Sequence, residues 1–314
     1  MTIDRIADLG LEDVVDKEYD LALLASGYER RCTHIPEKLR EALISKTVVL
    51  GFRDVADEMV RKQNDEYFDK NWKKEPITVG ANDDAAIYAQ LAETIPADKE
   101  NLQIVVDYSS MSRLWYAALL NWARYACQAK SLTIDFLYSV GRYPEEIAPM
   151  VIEDMLSVPG CEGAALPQAK SVAVFGLGFY GYAALCVLDR LEADDVFAFL
   201  AAPAYSLTYG AKIRQANKDL IEDYHTKMVL ELPLGSVETA YRYLSELITP
   251  FRPTAEIVLV PMGPKPHVLA SILVAMKFPD VACLRISARR ERPEEVDAEG
   301  SIVATRVTFR LDRA

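Results

Sequence analysis

An apolar run that stops at a loop of glycine and aromatic residues occurs twice in this chain, and a second matched pair follows each copy. Residues 20–31 read D-L-A-L-L-A-S-G-Y-E-R-R and residues 171–181 read S-V-A-V-F-G-L-G-F-Y-G. Further on, residues 104–113 read I-V-V-D-Y-S-S-M-S-R and residues 257–267 read I-V-L-V-P-M-G-P-K-P-H, each an apolar run entering a small polar loop. Pro144-Glu145-Glu146-Ile147 and Pro293-Glu294-Glu295-Val296 close the two halves. The first and third echoes share an offset of 149 positions (27 to 176, 144 to 293), and the second is offset by about 154. A constant frame with one small insertion is what a duplicated unit leaves behind. The alternative is that any two α/β units share apolar strands and glycine turns.

At 314 residues the chain exceeds the size at which one core stops growing, so two domains or one pseudo-symmetric body are both allowed. Hydrophobic residues make up 51%, ample for a core, yet no run approaches the roughly 18 residues needed to cross a bilayer. The start, Met1-Thr2-Ile3-Asp4-Arg5, lacks the basic and apolar regions of a signal peptide, which predicts a cytoplasmic protein with no membrane partner. Five scattered cysteines with no C-x-x-C pair support neither a disulfide framework nor a zinc site, so no metal is expected. A net charge of −12 argues against coating long nucleic acid, whose binding draws on many contacts from lysine and arginine to phosphate. It leaves room for a small anion in a local basic pocket. Basic residues gather at Arg30-Arg31, at Arg113, at Lys265 with His267, and at Arg285 with Arg289, Arg290 and Arg292.

Residues 1–18 read as a short acidic lead. Leu21 to Ala25 then reads as a buried strand, followed by the loop Gly27 to Arg31, a helix through about Leu43 and a strand at Thr47 to Phe52. Continuous apolar strands separated by helices make the pattern of a parallel sheet covered on both faces. Residues 55–72 read as an exposed helix, Asp83 to Thr94 as an amphipathic one, Leu102 to Asp107 as a strand, the segment with Leu114, Trp115 and Trp122 as a helix, and Leu132 to Tyr138 as a strand. The second half repeats the order. Strand Val172 to Phe175 leads to a helix from Tyr182 to Leu191, a strand at Val196 to Leu200 and a polar helix from Lys212 to Tyr224. A strand at Met228 to Leu232, a helix from Ser236 to Ile248, a strand at Glu256 to Pro261, a helix to Met276 and a strand at Val281 to Ile286 follow. Alternation over Gly300 to Leu311 predicts an antiparallel edge strand. The fold class is α/β: two Rossmann-like units with largely parallel sheets, internally duplicated, spanning 1–158 and 159–314. The boundary is drawn where Val158-Pro159-Gly160-Cys161-Glu162-Gly163 gathers turn-forming residues.

Four loops can carry chemistry. Gly176-Leu177-Gly178-Phe179-Tyr180-Gly181 matches G-x-G-x-x-G between a predicted strand and helix, the context that turns backbone N–H groups toward an anion. The next strand ends Leu200-Ala201-Ala202-Pro203 with no acidic side chain for a ribose, and Phe179 and Tyr180 are bulky, so NAD and FAD are disfavoured and no other cofactor is named. A phosphate contact and a purely structural glycine turn both stay open. In Ser26-Gly27-Tyr28-Glu29-Arg30-Arg31, Tyr28 suits stacking on a base and Arg30 or Arg31 forked bonds to phosphate, unless the arginines pair with Glu29 on a helix surface. Asp107-Tyr108-Ser109-Ser110-Met111-Ser112-Arg113 joins a carboxylate, three hydroxyls and an arginine at a helix start. At least one of Ser109, Ser110 and Ser112 is an ordinary cap, and a serine nucleophile lacks a neighbouring base. Tyr108 joins Tyr28 as a stacking surface. Met262-Gly263-Pro264-Lys265-Pro266-His267 holds Lys265 stiffly between prolines, and His267 is either an acid–base group or a core hydrogen-bonder. His34 and His225 receive no role.

The order of elements, with Ser26-Gly27-Tyr28 and Gly176 to Gly181 as first-strand loops and Ser109 to Arg113 and Met262 to His267 as later ones, resembles the CARF and SAVED ligand-sensing folds of prokaryotic defence systems. The resemblance implies Rossmann-like halves that bind cyclic or linear oligonucleotide messengers between them, as a sensor in a defence or signalling system. It covers nearly the whole chain in layout. Neither later loop has the family's G-G-T-K-type run, which Gly263-Pro264-Lys265 only approximates, and no separate effector domain is expected after the second unit within these 314 residues. The leading expectation is binding of a nucleotide or other phosphorylated small molecule in a cleft shared by the halves, with charge from Arg30, Arg31, Arg113 and Lys265. A hydrolase or transferase acting on a nucleotide or phosphoester through Asp107 and His267 is the enzymatic rival. A non-catalytic interaction subunit, as a homodimer or with a protein partner, is the third.

Overall fold

The recurring apolar runs form the parallel strands of two sheets, which among the described residues hold seven and six strands. The structure, a computed structural model, describes all residues except 145–146, 148–149, 166–168, 205–206, 223–225, 291–295 and 312–314, and the backbone alone at 207–208 and 289–290. The third echo, His225, Arg292 and the predicted end of the polar helix at Tyr224 therefore lie partly or wholly outside the described residues. The chain divides into two units, Met1–Glu146 with Pro293–Ala314, and Ile147–Arg292. No described helix is long and apolar enough to cross a membrane.

The first unit opens with β1 (Thr2–Leu9), α1 (Glu12–Val15) and β2 (Glu18–Ser26), then a 3-10 turn at Arg30–Thr33, α2 (His34–Lys38) and β3 (Leu43–Phe52). It continues with α3 (Met59–Trp72), β4 (Ile77–Val79), α4 (Asp84–Thr94), β5 (Asn101–Asp107), α5 (Arg113–Tyr125) and β6 (Ser131–Arg142). Strands lie in the order β4-β3-β2-β5-β6, all parallel. Leu21 to Ala25 are buried without interruption because helices cover both faces of a parallel sheet. Helices α4 and α5 start where a side chain satisfies one of their first N–H groups: Asp83 accepts from Ala86 N (3.1 Å) and Ser112 from Trp115 N (3.2 Å).

The second unit runs β7 (Met150–Glu162), β8 (Lys170–Gly176), α6 (Gly181–Leu191), β9 (Asp195–Ala201), α7 (Leu207–Ala216), α8 (Lys218–Glu222) and β10 (Met228–Leu232). After these come α9 (Val237–Ile248), β11 (Ala255–Pro261), α10 (Lys265–Lys277) and β12 (Val281–Arg290). Its parallel order is β10-β9-β8-β11-β12, the same as in the first unit: third, second, first, fourth, fifth. The two halves thus share one strand order. Each fifth strand then gains an antiparallel neighbour. Strand β7, which follows β6 in the chain, pairs with β12, and β13 (Asp297–Arg310), which follows β12, pairs with β6. The sixth strand of each half completes the sheet of the other.

That exchange changes three expectations. The acidic lead is β1 and α1, and β1 pairs antiparallel with β13, covering the strand predicted at the edge. The chain passes between units near 146 and again near 293, where a single boundary near 158 was expected. Val158 to Gly163 instead lie in and just past β7, an edge strand whose register with β12 shifts between Ala282 and Leu284 and where Gly160 has φ 80°. A proline and a left-handed glycine are tolerated at such a bulge because an edge strand has an unpaired side. The helix expected through Leu43 is also short, since β3 pairs with β2 from Leu43 opposite Glu18.

A buried carboxylate ties the added strand to the parallel core. Asp135 on β6, fully buried, takes a bidentate pair from Arg306 of β13 (2.7 and 2.8 Å), the Tyr19 hydroxyl of β2 (2.7 Å) and Lys17 (3.2 Å). Burial, then the Asp135 charge, holds the Tyr19 phenol above its usual range. Removing one member of such a cluster leaves buried charge uncompensated. Asp135→Ala is expected to lower unfolding free energy by about 3–5 kcal/mol, and Asp135→Asn by less, as read from urea denaturation.

Candidate functional site

Neighbouring parallel strands whose connections leave in opposite directions open a crevice at their C-terminal ends, and each unit has one such pair. In the first unit the pair is β2 and β5, ending at Ser26 and Asp107. The Ser26 hydroxyl donates to Asp65 Oδ1 (2.5 Å), the same oxygen that takes Arg61 Nε (2.7 Å), and Arg61 Nη1 reaches the Phe52 carbonyl (2.5 Å). Asn64 Nδ2 donates to the Gly27 and Glu29 carbonyls (2.8 and 3.1 Å). The face of α3 bearing Arg61, Asn64 and Asp65 therefore grips the first-strand loop. On the β5 side, Asp107 Oδ1 accepts from Ser109 N (2.9 Å), and Ser109 Oγ accepts from Ser139 N (2.7 Å). The two loops touch: a Cβ on Gly27 would stand 2.9 Å from Ser110 Cβ, so only glycine lets them close.

Around this polar floor of Ser26, Gly27, Asp107 and Ser110 runs a half-buried rim. Ser112 caps α5 and Arg113 opens it. Tyr28 lies 6.4 Å from Phe52, and Phe52 stacks at 4.2 Å on Trp115, whose Nε1 donates to the Gly80 carbonyl (2.9 Å). Rim and floor together bring Ser26, Gly27, Tyr28, Ser110, Ser112 and Arg113 to one end of one sheet.

Other predicted residues take different places. Arg31 is buried, with Nε on Glu29 (2.7 Å), Nη1 on the Tyr138 hydroxyl and Ser139 carbonyl (3.0 and 2.8 Å), and its guanidinium against the Tyr138 and Tyr143 rings. Its donors are used inside the protein, which makes it a structural anchor. Arg30 is exposed. Tyr108 offers no stacking surface: its N–H extends the ladder to Leu137 (3.1 Å), and its ring is buried among Tyr116, Phe136 and Tyr138. Cys32 receives the Gly27 N–H on Sγ (3.3 Å) and donates to the Ala25 carbonyl (2.9 Å), and burial pushes its thiol up to about 12, so it is a packing residue. His34 bonds Ser139 Oγ (2.8 Å).

In the second unit β8 and β11 form the equivalent pair, and there backbone meets backbone. A Cβ on Gly178 would lie 2.7 Å from the Met262 carbonyl oxygen, and one on Gly263 2.8 Å from that of Leu177. A side chain on Gly181 would collide with the Ala216 carbonyl, and one on Gly176 would stand 2.7 Å from the Phe199 ring. Asn217 Nδ2 holds the Gly178 carbonyl (2.7 Å). Each glycine of the G-x-G-x-x-G run thus has a packing reason within the protein. Lys265 opens α10, half-buried. His267 is fully buried in the same helix, with Nε2 3.3 Å from the Pro233 carbonyl. A carbonyl only accepts, so Nε2 carries the proton and Nδ1 is bare. Burial holds the imidazole down at about 4, neutral at pH 7. Neither Asp107, buried with Oδ1 engaged, nor His267 presents itself for catalysis. Among the described residues no group of three or more His, Cys, Asp or Glu is arranged for a metal.

No protein-family model and no curated protein matches the chain. The residues that sequence reasoning passed over are Arg61, Asn64 and Asp65, within a segment taken as a solvated helix. Their signal is helical spacing: 61, 64, 65 and 68 share one face, with Phe68 as its apolar anchor.

Two outcomes follow from this geometry. His267 is neutral in the fold and ionises near pH 6.5 when unfolded, so its contribution is complete above 6.5 and is lost as pH falls toward 4. Wild-type protein should lose about 3 kcal/mol more stability across that window than His267→Phe, in urea unfolding at pH 7 and pH 4. Gly27→Ala should cost about 1–3 kcal/mol through overpacking, and adding Ser110→Gly should restore part of it, as read from melting curves.

Proposed function

We propose that the first unit binds a nucleotide or other phosphorylated small molecule across the exits of β2 and β5. The observation that carries this is the convergence, at a crevice between oppositely connected strands, of three kinds of group: the start of α5 with Arg113, the hydroxyls of Ser110 and Ser112, and the aromatic pair Tyr28 and Phe52. A phosphate suits the helix start, where N–H groups, the helix dipole and a guanidinium favour negative charge. A base suits the ring surface beside it. The overall charge of −12 confines such attraction to a local site and fits a small anion better than a polymer. The resemblance to CARF and SAVED folds agrees with this reading and points to a sensing role in a prokaryotic defence or signalling system.

The second unit repeats the topology without the polar floor. Its strand exits are filled by Gly176, Leu177, Pro261 and Met262, and the contacts of its glycines are internal. Gly176, Gly178, Gly181 and Gly263 are thereby assigned to shaping that end of the sheet, and ligand contact to the first unit.

The reading is checked by differential scanning fluorimetry with the four nucleoside triphosphates and inorganic phosphate. At saturating ligand the melting temperature should rise by several degrees, because stabilisation grows as the logarithm of ligand over Kd. Arg113→Ala should remove the rise, while Arg214→Ala, in an exposed pair with Glu231 of the second unit, should keep it. No rise with any of these ligands would refute the proposal.

A further inference from the structure

The first-strand exit contains a carboxylate fixed from one side only. Asp65 Oδ1 accepts both the Ser26 hydroxyl (2.5 Å) and Arg61 Nε (2.7 Å), whereas no described residue donates to Oδ2. The side chain of Asp65 is 33% exposed and that of Arg61 only 3%. Arg61 is itself held by the Phe52 carbonyl (2.5 Å) and by its fit against Gly51, where a Cβ would strike its Nη2. Ser26, fully buried, has its hydroxyl committed to the same oxygen. An exposed surface aspartate rotates freely. This one is locked at χ by two donors, one a buried guanidinium, and its remaining oxygen keeps its lone pairs for an outside donor.

Ser26 precedes Gly27, which abuts Ser110 of the β5 loop, and Asn64 beside Asp65 holds the Gly27 and Glu29 carbonyls on either side of Tyr28. Asp65 therefore lies beside the exit of β2, while α5 starts after the exit of the neighbouring β5. Phosphate is repelled by a carboxylate and prefers Arg113. A neutral group bearing O–H donors is attracted to the carboxylate. Resting on the nucleotide reading above, we propose that Asp65 is the specificity-determining residue for the sugar of the ligand, with Oδ2 accepting from a ribose hydroxyl, so that the site selects ribonucleotides over analogues without sugar hydroxyls.

The alternative role for Asp65 is a tether that fastens α3 to β2. That role acts on stability and is blind to the sugar. Wild-type protein and Asp65→Asn are titrated calorimetrically with each of the four ribonucleoside triphosphates and with the matching 2′,3′-dideoxynucleoside triphosphates, and the melting temperature of each free protein is recorded. Asparagine keeps an oxygen for Ser26 and Arg61 and loses the charge. Wild type should bind at least one ribonucleotide about tenfold or more tightly than its dideoxy counterpart, the effect of one hydrogen bond to a charged acceptor. Asp65→Asn should bind both forms with nearly the weaker affinity. Equal binding of the two sugars by wild type, or discrimination that survives in Asp65→Asn whatever its melting temperature, would overturn this inference and leave nucleotide binding standing. Binding of neither set by wild type would overturn the nucleotide reading and this inference with it.

Discussion

Two antiparallel ladders, β13 on β6 and β7 on β12, determine how this chain can fold. Without them each half is a five-stranded parallel sheet whose fifth strand lies bare along one side, an open template for wrong pairing. The chain answers by sending the strand after β6 to the second sheet and the strand after β12 to the first. Hydrogen bonding alone would not select β13 for this place. The selective element is Asp135, a buried carboxylate that only Arg306, Tyr19 and Lys17 together can satisfy, so that a shifted register would leave charge unpaired in the core.

The two halves differ most at the exits of their central strands. At the exits of the first and fourth strands, one unit buries Ser26, Asp107, Ser109 and Ser110 and recruits Arg61, Asn64 and Asp65 from α3. The other buries Gly176, Leu177, Pro261 and Met262, and its loops cross at Gly178 and Gly263. Buried polar groups cost stability unless they are paired, and the first unit pairs Ser26, Asp107 and Ser109 within its own loops. The second unit spends its glycines on close packing.

The parallel core was legible because it follows from the period of apolar residues. Strands such as Leu21 to Ala25 and Met228 to Leu232 appear where the runs stand, and caps such as Asp83 and Ser236 mark the helix starts. The antiparallel strands were harder. β1 and β7 alternate weakly, and Pro159-Gly160 reads as a linker unless one knows that β7 is an edge strand with a bulge. Of the candidate site, loop positions were readable and side-chain directions were not. Arg31 and Arg30 are adjacent in sequence, yet one is an internal anchor and the other exposed. Tyr108 looks like a loop residue and is core, because one more ladder bond carries it past the strand end. Asp65 was invisible in a run of charges, since only the register of α3 against β2 separates it from its solvated neighbours.

The placement of β13 also bears on how the protein comes into being. Strand β1 is made before β13, its sheet partner among the described residues, and more than 280 residues separate the two. A growing polypeptide emerging from the ribosome can assemble the parallel centre of its leading half early, but that half stays unfinished along one flank until residues 297–310 arrive. Synthesis order and assembly order therefore run in opposite senses for this sheet, and the waiting flank is the stretch a chaperone would have reason to cover.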